Sequence, residues 1–145
     1  VILVDANLLL YAANRSAPEH QGAREWLDAH LSGTQRVGLP WPSLLAFVRL
    51  ASNPMIMRYP VAVAQAWEQA QQWLSAEPAW IPQPTERHGE LFGALCSASA
   101  MTSRLVPDAH LAALAIEHGL TLCSTDGDFA RFDGLDWVNP LSPQR

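Results

Sequence analysis

The residues Val1 to Val4 constrain this chain most. They form an unbroken apolar run of strand-forming residues that stops abruptly at Asp5, in "VILVDANLLLYAAN". A strand that is apolar on both faces needs cover on both faces, which a parallel sheet between helical layers provides. A second run of this kind, Leu120 to Ser124, follows a helical segment opened by Pro107 and closed by Gly119. Those two residues suit a first helical turn and a position just past a helix end. Shorter strands are expected in "RVGLP", at Ala79 to Ile81 within the Pro-broken "EPAWIPQP", and near Asp136 to Val138.

Helical patterns fill the intervals. A short helix is expected from about Asn7. Ser16 and Glu19 have the spacing of a capping box ahead of the stripe Ala23, Trp26, Leu27 and His30 or Leu31. "WPSLLAFVRLASNP" predicts a buried helix stopped at Asn53-Pro54, and "VAVAQAWEQAQQWL" carries an apolar stripe from Val63 to Leu74. "TERHGELFGALCSASA" predicts another helix, capped by Thr85. Strands alternating with helices over 145 residues predict one α/β domain, 1–145, around a mostly parallel sheet.

Composition prunes the functions. The formal net charge is −5, which argues against a general binder of bare phosphate backbone, though not against an enzyme whose acids hold a cation. All nine basic residues are arginine, so no P-loop lysine, Schiff base or lysine base is possible. Cys96 and Cys123 sit in apolar surroundings and are expected to be buried thiols in a reducing compartment. No apolar run is long enough to cross a bilayer, and no export leader is recognisable, so a cytoplasmic location is expected. Ser43, Ser103 and Ser124 lack the context of a nucleophile elbow. His110 and His118 lie two turns apart, unlike a zinc pair; His118 suits a helix C-terminus, and His20, His30 and His88 are expected at the surface. The six tryptophans are expected in the core.

Four acids remain. Parallel sheets place ligands beyond the C-terminal ends of their strands. Asp5 ends the first strand, and Asp126 and Asp128 follow the strand Leu120 to Ser124. Asp108 lies in the first turn of the helix feeding that strand; a right-handed crossover returns it to the same edge. Each acid alone is explained as well by a cap or a turn: Asp5 and Asp108 at helix starts, Asp126-Gly127 and Asp128 in a turn. Together they suggest a site. Carboxylates that repel one another, with no Cys or His pair nearby, suit Mg²⁺ or Mn²⁺ and phosphodiester hydrolysis.

The stretches "VILVDANLLLYAAN", Pro107 to Ala115 "PDAHLAALA", and Thr125 to Phe129 "TDGDF" resemble a PIN domain of the VapC toxin type, over essentially the whole chain. The resemblance implies an α/β/α sandwich and a Mg²⁺-dependent endoribonuclease acting on tRNA or rRNA. It also implies restraint by a VapB-type antitoxin, and a homodimer. By position it implies metal ligands at Asp5 and Asp108, a third catalytic acid at Asp126 and a fourth acid beside the metal site at Asp128, with all four acids taken as candidate metal ligands. Asn7 and Thr125 would support them by hydrogen bonding. One position departs from the family, which carries a glutamate in the helix after the second strand. Here that place is about Phe47, and no Asp or Glu occurs from Ala29 to Trp67. The departure leaves open one metal or two, and a catalytically degenerate module that acts by binding protein or RNA. An aspartyl-nucleophile phosphatase is disfavoured by Asn7 and the lack of lysine. Arg15, Arg49 and Arg131 are offered as phosphate contacts, with nothing in the sequence to choose among them.

Overall fold

Leu3 and Val4 are neighbours in the chain and both fully buried, yet they belong to different cores. That alternation is the strand period of two, and it shows that the first strand is covered on both faces. The structure is a computed structural model describing residues 1–98 and 100–142. Its strands are β1 (Ile2–Val4), β2 (Val37–Gly38), β3 (Ala79–Trp80), β4 (Thr121–Cys123) and β5 (Trp137–Val138). They form one parallel sheet in the order β3-β2-β1-β4-β5. Val4 packs under helices α1 (Ala6–Ala13), α2 (His20–Leu31), α3 (Trp41–Ala51) and α4 (Val63–Leu74). Leu3 and Leu122 pack under α5 (His88–Cys96) and α6 (Val106–His118), with Phe129 and Phe132 closing that side. The result is a helix–sheet–helix sandwich.

Topology fixes where a ligand goes. The chain leaves β1 for β2 on one side, and β4 pairs on the other with Ile2 opposite Thr121 and Val4 opposite Cys123. The strand order reverses between β1 and β4, so their C-terminal ends frame the crevice such sheets use for ligands. Gly119 closes α6 at φ +66, a left-handed conformation that a Cβ would strain, and releases the chain into β4. Gly38 answers a different need: a Cβ there would lie 3.2 Å from the Ile2 carbonyl oxygen and from Pro82.

Several local expectations are corrected. Ser16 and Glu19 form no capping box; α2 begins at His20, and the Ser16 N–H donates to Asn14 instead. Thr85 does not cap α5. Its hydroxyl accepts from the Arg87 N–H in a turn just upstream, which satisfies the same chemistry one step early. The segment read as that helix ends at Cys96; Ser99 lies outside the described residues. Cys96 is exposed, whereas Cys123 is buried, with burial pushing its thiol up to about 12. Trp41 is partly exposed and stacks on Trp67 at 5.9 Å, while Trp73 lies in the core. Among the described residues no helix is long and apolar enough to cross a membrane.

Candidate metal centre

Asp5 is a helix cap and a candidate site residue at the end of β1. Its N–H extends the β1–β4 ladder to the Cys123 carbonyl, and its Oδ1 accepts from the Ala6 N–H at 2.8 Å, starting α1. Its Oδ2 accepts from the Ser124 hydroxyl at 2.7 Å and the Asn7 amide at 3.3 Å. Burial raises the Asp5 carboxyl above its ordinary range; these hydrogen bonds oppose the shift and the charge of Asp126 adds to it.

Ser124 ties the two strand ends together. It is completely buried immediately after β4. Its hydroxyl donates to Asp5 and accepts from the Asn7 amide and the Asp126 N–H, both at 3.0 Å. One donor and two acceptor positions are thereby all used. Asn7 closes the ring by accepting from the Thr125 N–H at 3.4 Å, so Thr125 enters through its backbone. Sequence reasoning considered Ser124 only as a nucleophile; its place directly before "TDGD" was the signal for a supporting role.

Asp126 caps the turn that follows, accepting the Asp128 N–H at 2.9 Å. Asp108 sits in the first turn of α6, where the helix dipole favours an anion. Oxygen atoms of Asp108, Asp126 and Asp128 all lie within 4.8 Å of one another. Asp108 registers this crowding: burial first, then the charges of Asp126, Asp5 and Asp128, push its carboxyl up to about 6, against the pull of Arg104. Asp128 behaves oppositely. Hydrogen bonds from Arg104 and Arg131 hold it below the usual carboxylate range.

The structure therefore brings Asp108, Asp126 and Asp128 into one cluster, with Asp5 alongside and joined to Asp126 through Ser124. It does not bring Phe47 there. That ring is 1% exposed and packs edge-on against Trp73 at 4.8 Å, among α1, α3 and α4. The donor set suits a hard divalent cation: carboxylate oxygens only, partly desolvated and mutually repelling, so that a bound cation relieves an existing cost.

The histidines also depart from expectation. None of His20, His30 and His88 is freely exposed. His88 Nδ1 bonds the fully buried Glu117 carboxylate, and its Nε2 faces His110 Nδ1 at 3.0 Å. This chain of groups fastens α5 to α6, and its pairing at 29 and 22 residues' separation has no sequence signature. His118 Nε2 bonds the Gln83 carbonyl at 2.7 Å, a tether to the loop after β3 rather than a helix cap.

Comparison with known proteins agrees with this architecture. A PIN domain profile matches residues 2–135. Ribonuclease VapC37 of Mycobacterium tuberculosis is 44% identical over 95% of this chain and 96% of its own, and Ribonuclease VapC33 of the same species is 35% identical over 97% and 99%. Among solved structures, VapBC2 from Rickettsia felis bound to a promoter DNA fragment superposes with a TM-score of 0.67 at 17% identity, covering 95% of this chain and 97% of that one. FitAcB from Neisseria gonorrhoeae gives 0.68 at 21%, covering 97% and 98%. The chain belongs to the PIN domain family, in its VapC branch.

Proposed function

We propose that the protein is a Mg²⁺-dependent endoribonuclease toxin of a type II toxin–antitoxin pair, with Mn²⁺ as a substitute metal. The observation that carries this is the meeting of Asp108, Asp126 and Asp128 within 4.8 Å, at the strand ends where Asp5 is locked in place by Ser124. Asp5, Asp108 and Asp126 would hold the cation, with Asp128 beside them. A divalent ion supplies Lewis acidity and lowers the pKa of water. The chain's own residues fix the geometry. Ser124 and Asn7 orient Asp5, the turn at Gly127 orients Asp126, and the partly buried site excludes bulk water from one side. In the hydrolysis, a water oxygen forms a bond to phosphorus and the bond from phosphorus to one ribose oxygen breaks. One proton leaves the water and one reaches the departing oxygen.

The relatives are named ribonucleases, which supports RNA as substrate; tRNA or rRNA is our choice of target. The solved neighbours are complexes named VapBC2 and FitAcB, which supports a VapB-type antitoxin as partner. A cavity of about 390 Å³ lined by Leu10, Phe47, Met57, Tyr59 and Val61, beside the exposed Met55 and Ile56, suits an apolar antitoxin segment. A homodimer in the cytoplasm completes the proposal. The test is cleavage of bulk bacterial tRNA and rRNA with Mg²⁺ and with EDTA. Asp5→Ala and Asp108→Ala should each abolish the Mg²⁺-dependent cuts; retention of cleavage by either contradicts the site. The buried Phe47, standing where the family has an acid, favours one other reading, a binding module without catalysis. Absence of Mn²⁺ binding even with RNA present would select it.

A further inference from the structure

Asp128 is the one acid of the cluster already neutralised. Arg104 Nη1 donates to its Oδ2 at 2.7 Å and Arg131 Nη2 to its Oδ1 at 3.2 Å, while Arg131 Nε reaches its backbone carbonyl at 3.2 Å. Each carboxylate oxygen thus faces a guanidinium, so a cation bound at Asp128 would meet two positive charges. The carboxylates of Asp5, Asp108 and Asp126 have no arginine partner among the described ion pairs.

Arg104 lies in the 3-10 turn Ser103–Leu105 that runs directly into α6, four residues before Asp108. A cation at a helix N-terminus is opposed by the helix dipole, so fold stability alone does not favour it there. Asp128 holds it in place. Its side chain is 68% exposed, and among the described residues it makes one side-chain hydrogen bond from five N–H donors. Among the described residues the rest of the planar fork has no hydrogen-bond partner beside the acidic cluster. Arg131 is committed to Asp128 through two nitrogens and is half as exposed. Arg15 and Arg49 are exposed but make no contact with the acids among the described ion pairs.

We propose that Arg104 binds a non-bridging oxygen of the RNA phosphate at the acidic site and stabilises the charge that grows there during cleavage, and that Asp128 is a positioning residue for this guanidinium rather than a metal ligand. The proposal rests on the nuclease function above. A planar fork suits phosphate oxygens, and a fixed cation acts most strongly where charge develops.

The test uses the purified full chain, a labelled oligoribonucleotide cut from an RNA the wild type cleaves, and Mn²⁺ titration followed by electron paramagnetic resonance. Arg104→Ala should lower the single-turnover rate by about 100-fold or more, as loss of such an arginine does in phosphoryl transfer. Its Mn²⁺ affinity should stay within a few-fold of wild type. Arg104→Lys should recover only a minor part of the rate, and added guanidinium should rescue Arg104→Ala but not Asp108→Asn. Asp128→Asn should slow cleavage while leaving Mn²⁺ affinity near wild type. Strong loss of Mn²⁺ binding in Asp128→Asn, or normal cleavage by Arg104→Ala, would overturn the assignment. A wild type that binds Mn²⁺ yet cuts no RNA would instead overturn the nuclease function itself.

Discussion

At the scale of single residues, Ser124 shows how one buried hydroxyl ties together the groups around the acidic cluster. Its hydroxyl serves Asp5, Asn7 and Asp126 at once. Ser124→Ala leaves two donors without that acceptor and should cost about 1–2 kcal/mol of stability, read from urea unfolding, and should slow cleavage by letting Asp5 turn. Asp108 should respond in the opposite sense. Its carboxyl titrates near 6 when folded against an ordinary 3.8, so the folded chain binds more protons than the unfolded one in that window. Without divalent ions, the stability contribution of this group therefore grows as pH falls from 7 through about 6 towards 3.8. Asp108→Asn should flatten that part of the profile and stabilise the metal-free protein at pH 7 by on the order of 1 kcal/mol, discounting for solvent exposure, while abolishing cleavage. Thermal melts between pH 5 and pH 7.5 check both effects. That Asp108, Asp126 and Asp128 meet at one sheet edge near Asp5 was legible in the sequence, because strand ends and helix starts place them. Arg104 was not, since its partner Asp128 lies 24 residues away and only the folded turn brings them together.

At the scale of elements, strands were easier to find than helix starts. The runs ending at Val4 and Cys123 are apolar on both faces because each feeds two cores, a signal that survives even in three-residue strands. The starts of α2 and α5 were misplaced because short polar side chains bond to whichever N–H lies nearby, inside the helix or one turn before it. Helix α3 explains the missing acid. Phe47 faces Trp73, Leu44 and Ala51 lie in the same cluster, and the helix is a core element at that position. Phe47→Ala should cost about 3–5 kcal/mol in chemical denaturation. Phe47→Glu should collapse the soluble yield without raising Mn²⁺ affinity, because it places an unpaired charge in the apolar layer. A folded, tighter-binding Phe47→Glu protein would refute this placement.

At the scale of the molecule, a net charge of −5 and an RNA substrate are reconciled locally. Asp108, Asp126 and Asp128 converge at one sheet edge with Asp5 joined to Asp126 through Ser124, a bound cation would reverse the sign there, and Arg104 and Arg131 pair with Asp128 at its border. An ion that binds the native site and not the unfolded chain stabilises by mass action, so at 100 times its Kd, Mn²⁺ should add about 2.7 kcal/mol. Asp126→Ala should remove that gain. On the proposed function, this acidic crevice holds a divalent ion and cuts RNA with it. The most direct measurement is the single-turnover cleavage rate of wild type and Asp108→Asn across a Mg²⁺ titration at pH 7.5. Wild type should show saturable Mg²⁺ dependence and no cleavage with EDTA, and Asp108→Asn should lose at least about 100-fold at every Mg²⁺ concentration. Cleavage that persists in EDTA, or an Asp108→Asn protein that cuts at the wild-type rate, would contradict it.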